Sequence, residues 1–168
     1  MIPSAEAPDF AAAVAGYRWW WVQAGQLVSP YVSTVTWRRD SRPLAWEPGV
    51  NRARCIFGGD HEAPSDEGCD CGLYAWTEAE CEPGHAQAMV GVVCLWGRMH
   101  VAAGAVRAEH AKIMALTCPT EGETPFAENV AEEYGVPLVE RADLPLHGMA
   151  SGALSIPGLY EAATKEEA

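Results

Sequence analysis

Cys55, His61, Cys69 and Cys71 are the residues of this 168-residue chain whose types and spacing point most directly to chemistry. They form the pattern C-x5-H-x7-C-x-C in a segment rich in Gly, Pro and acidic residues, with no hydrophobic periodicity. Thiolate sulfur and neutral imidazole nitrogen suit zinc, and four such donors close a tetrahedral structural site. The four residues are therefore read as ligands of a structural Zn2+. Coordination also supplies the free energy that an apolar-poor loop lacks, since metal binding and folding are coupled. Gly68 and Gly72 flank the close-set Cys69 and Cys71 and give the backbone freedom to aim both sulfurs inward. Free thiols beside a surface His61, or a disulfide from Cys55 to Cys69 or Cys71, are the competing readings. Cys81 and His85 are reserve ligands, and Cys94, inside an apolar run, reads as a core residue.

Four protein donors leave no position for a catalytic water, which argues against hydrolysis or deamination at this loop. His61-Glu62-Ala63 does not continue to H-E-x-x-H, and the nucleophile elbow, the P-loop and the dinucleotide-binding glycine turn are all absent. An alternative enzymatic reading places Arg107, Glu109 and His110 in one pocket, with His100 in reserve. An ordinary ion pair on a strand face accounts for Arg107 and Glu109 as well. The run Trp19-Trp20-Trp21 could stack bases in a single-strand binder. Core packing or a protein interface is the plainer use of three tryptophans.

These residues need a scaffold, and the chain supplies strand signals. Tyr17 to Val22 is aromatic and β-branched, and Gly25-Gln26 separates it from Leu27 to Val32, which is a hairpin signature. Tyr17, Trp19 and Trp21 share one face of such a strand, while Arg18, Trp20 and Val22 share the other. Val35 to Arg38 is a further short extended piece. Met89 to Val101 reads as a central strand, with Gly91 and Gly97 marking bulges or close backbone approach. Val106 to Leu116 is ambiguous: Arg107 to Met114 has helical propensity, and a return strand pairing with 89–101 competes. Pro125, then Phe126, Val130 and Tyr134 at helical spacing and a closing Gly135, predict a short helix, followed by an extended 136–140. The fold class is α+β, mostly antiparallel sheet with a zinc-stabilised loop and one short C-terminal helix. A single domain is expected over 1–168, with a loose arm over 1–12, a core over 17–140 and an irregular tail over 141–168.

The net charge of −12 is not spread evenly: residues 1–59, 60–82, 83–118 and 119–168 carry +2, −8, +2 and −8. Two acidic blocks repel phosphate backbones, so double-stranded nucleic acid is not an expected partner. The longest apolar runs, Ala11 to Gly16 and Val90 to Gly97, are far shorter than the roughly 20 residues of a bilayer-spanning helix. Met1 to Phe10 has no basic stretch leading into an apolar one, so no secretory signal is read and a cytoplasmic setting is expected. The expected partner is a protein.

The blocks Cys55…His61-Glu62-Ala63-Pro64…Cys69-Asp70-Cys71-Gly72-Leu73-Tyr74-Ala75, Val92…Leu95-Trp96-Gly97-Arg98 and Arg107-Ala108-Glu109 carry a resemblance. The chain, over roughly residues 17 to 140, resembles a family of small uncharacterised proteins found in actinobacteria and their phages. That family has a C…H-x-x-P…C-x-C-G-x-Y-A block, a W-G-R-V strand and a G-x-R-A-E segment. The resemblance implies a small β-rich protein with a metal knot made of Cys55, His61, Cys69 and Cys71, a return strand over Val106 to Leu116, and a phage or prophage origin. The chain departs from the family at Val106, where the pattern has Gly.

Overall fold

The computed structural model describes residues 5–6, 13–30, 45–55, 59–64, 68–77, 88–102, 104–118 and 124–145. Their strands are β1 (Ala5–Glu6), β2 (Val14–Gln23), β3 (Gln26–Val28), β4 (Val50–Arg52), β5 (Leu73–Trp76), β6 (Ala88–Ala102) and β7 (Ala105–Thr117). One helix, α1 (Thr124–Tyr134), and a 3-10 turn, Arg141–Asp143, complete the described elements. Every pairing between these strands is antiparallel. The α+β architecture with one helix expected from the sequence is the observed one, and none of the described helices is long and apolar enough to cross a membrane.

The long hairpin of β6 and β7 is the backbone of the fold. Val106 to Leu116 is strand and not helix, because its local helical propensity is outweighed by hydrogen bonding on both edges. One edge of β7 meets β6, and β5 and β4 also pair with β7, at Leu73↔Ala108 and Arg52↔His110. Two irregularities interrupt the β6–β7 ladder. The first falls between Val92 and Val93, where β7 holds the extra residue, and the second between Trp96 and Met99, where β6 does. Gly97 sits in the second with φ +84, a left-handed conformation that favours glycine. Gly91 answers to close approach instead: a Cβ there would lie 2.4 Å from the Ala115 carbonyl oxygen.

β2 pairs with β6 on one side and touches β5 on the other through Tyr17↔Trp76. The pairings β2–β6, β6–β7, β7–β5 and β5–β2 thus close a ring of four strands. The last link is the narrowest, and Gly16 permits it: a Cβ on that residue would fall 2.7 Å from the Ala75 Cβ. Within the stretch expected as a loose arm, Ala5–Glu6 pairs with Val101 and His100 of β6. The extended piece predicted at Val35 to Arg38 and most of the predicted tail lie outside the described residues.

Both faces of β2 and β6 are covered, as their aromatic and apolar runs predict. Val14, Trp20, Met89, Val93 and Leu95 face a core completed by Ala127, Val130, Ala131 and Tyr134 of α1. Ala15, Tyr17, Val90, Val92 and Cys94 face a second cluster that includes Leu144. Trp20 is fully buried, edge-on to Trp46 at 5.3 Å, so the three tryptophans do not form one open stacking platform. After α1, Leu116 of β7 is bridged to Leu138 in parallel sense, through Leu116 N–H to the Pro137 carbonyl at 3.0 Å and Val139 N–H to the Leu116 carbonyl at 2.9 Å.

The buried Tyr134 hydroxyl ties the helix to the sheet by accepting from Leu27 N–H at 2.8 Å and donating to the Trp46 carbonyl at 2.6 Å. Tyr134→Phe strands both backbone groups in the core, and an unfolding free energy lower by about 1–3 kcal/mol is expected in urea titration. Burial also raises this phenol above its ordinary value. The folded chain therefore keeps a proton that the unfolded chain releases, and its contribution to stability falls as pH rises from about 10 upward. In Tyr134→Phe that part of the alkaline decline is absent.

Candidate metal centre

The position of the cysteine and histidine loop follows from the register of β7. Arg52 at the end of β4 lies opposite His110, Leu73 at the start of β5 lies opposite Ala108, and Ala53 N–H donates to the Glu109 carbonyl at 2.7 Å. Residues 53–72 thus leave the sheet and rejoin it at almost the same place. Cys55 lies on the outgoing limb, Cys69 and Cys71 on the returning limb, and His61 between them.

All four predicted ligands come together. One donor atom from each of Cys55, His61, Cys69 and Cys71 lies within 4.8 Å of every other, a group that could hold a metal ion. Cys55 Sγ and Cys69 Sγ are 3.7 Å apart, and His61 Nε2 is 3.4 Å from Cys71 Sγ. A disulfide has a sulfur separation of about 2.05 Å, so the two thiols are not bonded. In a tetrahedral zinc site with Zn–S of about 2.3 Å, adjacent sulfurs stand about 3.8 Å apart. The observed edge has that length.

Comparison of the chain with family models, with curated proteins and with solved structures finds no match. The chemistry must therefore be read from the loop itself. Among its described residues the apolar packing is slight: Ala53, Ala63 and Cys71 form a small cluster against Leu73 and the other two cysteines. Polar clamps hold the rest. Arg107 Nη1 donates to the Cys69 and Cys71 carbonyls, the latter at 3.2 Å. Arg98 reaches the Glu62 carboxylate at 3.2 Å and the Pro64 carbonyl at 3.5 Å. Three thiolates around a dication would carry a net charge of −1, which the Arg107 guanidinium beside the cysteine backbone would offset.

Arg107 is thus engaged with the loop and is not poised for acid and base work. Glu109 accepts from Arg52 at 3.4 Å and from Arg98 N–H at 3.3 Å, while His110 stacks on Trp96 with ring centroids 5.7 Å apart. His100 is buried. None of these four residues lines the depression formed by Arg18, Trp19, Pro30, Tyr74 and Trp76. The sequence reading missed the Arg107 clamp, because it depends on strand register. The register pairs Tyr74 with Arg107. Burial raises the Tyr74 phenol, with the neighbouring Arg107 cation opposing. Of the remaining cysteines, Cys94 lies in the second core cluster, as expected, and Cys118 packs against the first. The reserve ligands Cys81 and His85 lie outside the described residues.

Gly59 makes room for the His61 imidazole. A Cβ at that position would lie 2.3 Å from His61 Cε1, 2.5 Å from Nδ1 and 3.2 Å from Cys55 Sγ. Gly59→Ala must displace the imidazole. Metal affinity weaker by about 10-fold or more is expected from competition with a chromophoric chelator, the order seen when support of a ligand is lost. The far-UV circular dichroism of the sheet is expected to stay unchanged.

Proposed function

We propose that Cys55, His61, Cys69 and Cys71 hold a structural Zn2+, and that the chain is a non-enzymatic protein-binding module. The observation that carries the reading is the convergence of three sulfurs and one imidazole nitrogen within 4.8 Å. That donor set favours zinc over magnesium or calcium, which prefer oxygen. Four protein donors fill a tetrahedron, and the side chains that could have served an acid–base reaction are occupied elsewhere. Zinc thus organises a displayed loop instead of activating water. The resemblance to small proteins of actinobacteria and their phages supports a phage or prophage origin, and a host protein as partner. The acidic blocks make a basic protein surface the natural counterpart.

Elemental analysis of protein purified without added metal should find one zinc per chain. A tagged chain should retain a specific protein from the native cell, and the Cys69→Ser/Cys71→Ser variant should lose it. Metal content near zero, or capture unaffected by the double substitution, would overturn the proposal.

A further inference from the structure

Two sulfur donors only two residues apart make a demanding arrangement for one ion, and the strands beside the loop show how it is met. The Cys69 and Cys71 carbonyls both accept from one nitrogen, Arg107 Nη1, the latter at 3.2 Å. Carbonyls two residues apart that meet a single donor point the same way. That is the disposition of extended backbone, in which side chains i and i+2 also share a face. Cys69 and Cys71 are thereby set on one side of the chain, and Asp70, which is exposed, on the other. The Asp70 carbonyl is fixed as well, by the Tyr74 hydroxyl. Gly68 and Gly72, at φ +65 and +138, turn the chain at either end of this short piece. Gly72 also lets it run close to β7: a Cβ there would lie 3.3 Å from the Arg107 Cβ. Tyr74 and Arg107 are register partners on β5 and β7, so the sheet itself builds the clamp.

We propose that Arg107 and Tyr74 are positioning residues of the metal centre: by fixing three consecutive carbonyls they hold Cys69 and Cys71 with both sulfurs aimed at one ion. Neither side chain is a ligand, and both act through the backbone. A segment already held from outside has less conformational freedom to lose when the ion binds, so the clamp raises affinity. The spacing C-x-C lacks the turn of the commoner C-x2-C knuckle and draws its shape from this support instead. The inference rests on the metal reading above and deepens it by naming what sets the affinity of the site.

The test compares the unaltered full chain with Arg107→Met and Tyr74→Phe. Zn2+ affinity is measured against a chromophoric chelator, Co2+ complexes are compared by absorption, and the metal-free chains are unfolded in urea. Arg107→Met should bind Zn2+ about 10- to 100-fold more weakly, with shifted Co2+ charge-transfer bands, as expected when a support of the ligands is lost. Tyr74→Phe, which removes one hydrogen bond, should weaken binding by about 5-fold. A lowered urea midpoint in Arg107→Met with Zn2+ affinity and Co2+ spectrum unchanged would mean a merely structural arginine and would overturn the proposal. Where Arg107→Met fails to fold, Tyr74→Phe decides: affinity within about twofold of the unaltered chain overturns it. An unaltered chain that binds neither ion defeats the metal reading itself, which separates that failure from failure of the clamp.

Discussion

With zinc held by the loop as proposed, stripping it with a strong chelator is expected to lower the melting temperature by roughly 10 °C. A ligand present at about a thousand times its dissociation constant stabilises the folded state by about 4 kcal/mol. In a chain of this size each kcal/mol moves the midpoint by about 2–4 °C. The effect is large because, among the described residues of 53–72, the apolar cluster is built of only three small side chains beside the Arg98 and Arg107 contacts. It is not total, because the core between β2, β6, β7 and α1 does not involve the loop. Cys71→Ser should reproduce the chelator's effect without chelator and then show no further response to it. Scanning calorimetry of both proteins, with and without chelator, makes the check. Identical midpoints in all four scans would show that the loop is held by something other than an ion.

The second large effect is expected at Arg18. This arginine is 5% exposed and lies on the same strand face as Trp20. Its guanidinium stands 4.9 Å from the Trp46 ring centroid. Nη2 donates to Ser29 Oγ at 2.6 Å, Nη1 donates to the Tyr74 carbonyl, and Trp46 Nε1–H donates to the same Ser29 oxygen at 3.0 Å. The side chain therefore links β2 to β5, where Tyr17↔Trp76 is the one backbone pairing. Arg18→Ala removes a large buried group and leaves the Tyr74 carbonyl without this donor. A loss of about 3 kcal/mol or more is expected from urea unfolding. Arg18→Lys should recover little, because an ammonium cannot stack flat on an indole while donating in two fixed directions. Near-full recovery with lysine would mean that charge alone matters at this position.

How much of this could be read beforehand depended on whether the signal was local. β2 and β6 were legible because burial on both faces demands continuous aromatic and apolar runs, as in Tyr17 to Val22 and Met89 to Val101. The helix was legible from Pro125, the spacing of Phe126, Val130 and Tyr134, and Gly135. The grouping of Cys55, His61, Cys69 and Cys71 was legible because thiols and an imidazole are unusual in a loop so poor in apolar residues. β7 was ambiguous, since Arg107 to Met114 favours a helix locally and becomes a strand through partners supplied by β4, β5 and β6. The ring closure and the Arg107 clamp were illegible for the same reason. Each depends on the register between segments distant in sequence, such as Gly16 with Ala75 or Tyr74 with Arg107, and no local pattern encodes it.

The closed ring of β2, β6, β7 and β5 has a consequence for the behaviour of the chain at high concentration. A strand with an unpaired backbone edge is a template for another copy, and closure hides such edges. In the ring, the edge of β7 is occupied by β5 and β4, both of which continue directly into the cysteine and histidine loop. Loosening the loop frees these short strands and uncovers the backbone edge of residues 105–112 in the centre of the fold. An ion held by the loop would thereby also guard the protein against edge-to-edge self-association, and its loss would appear first as aggregation.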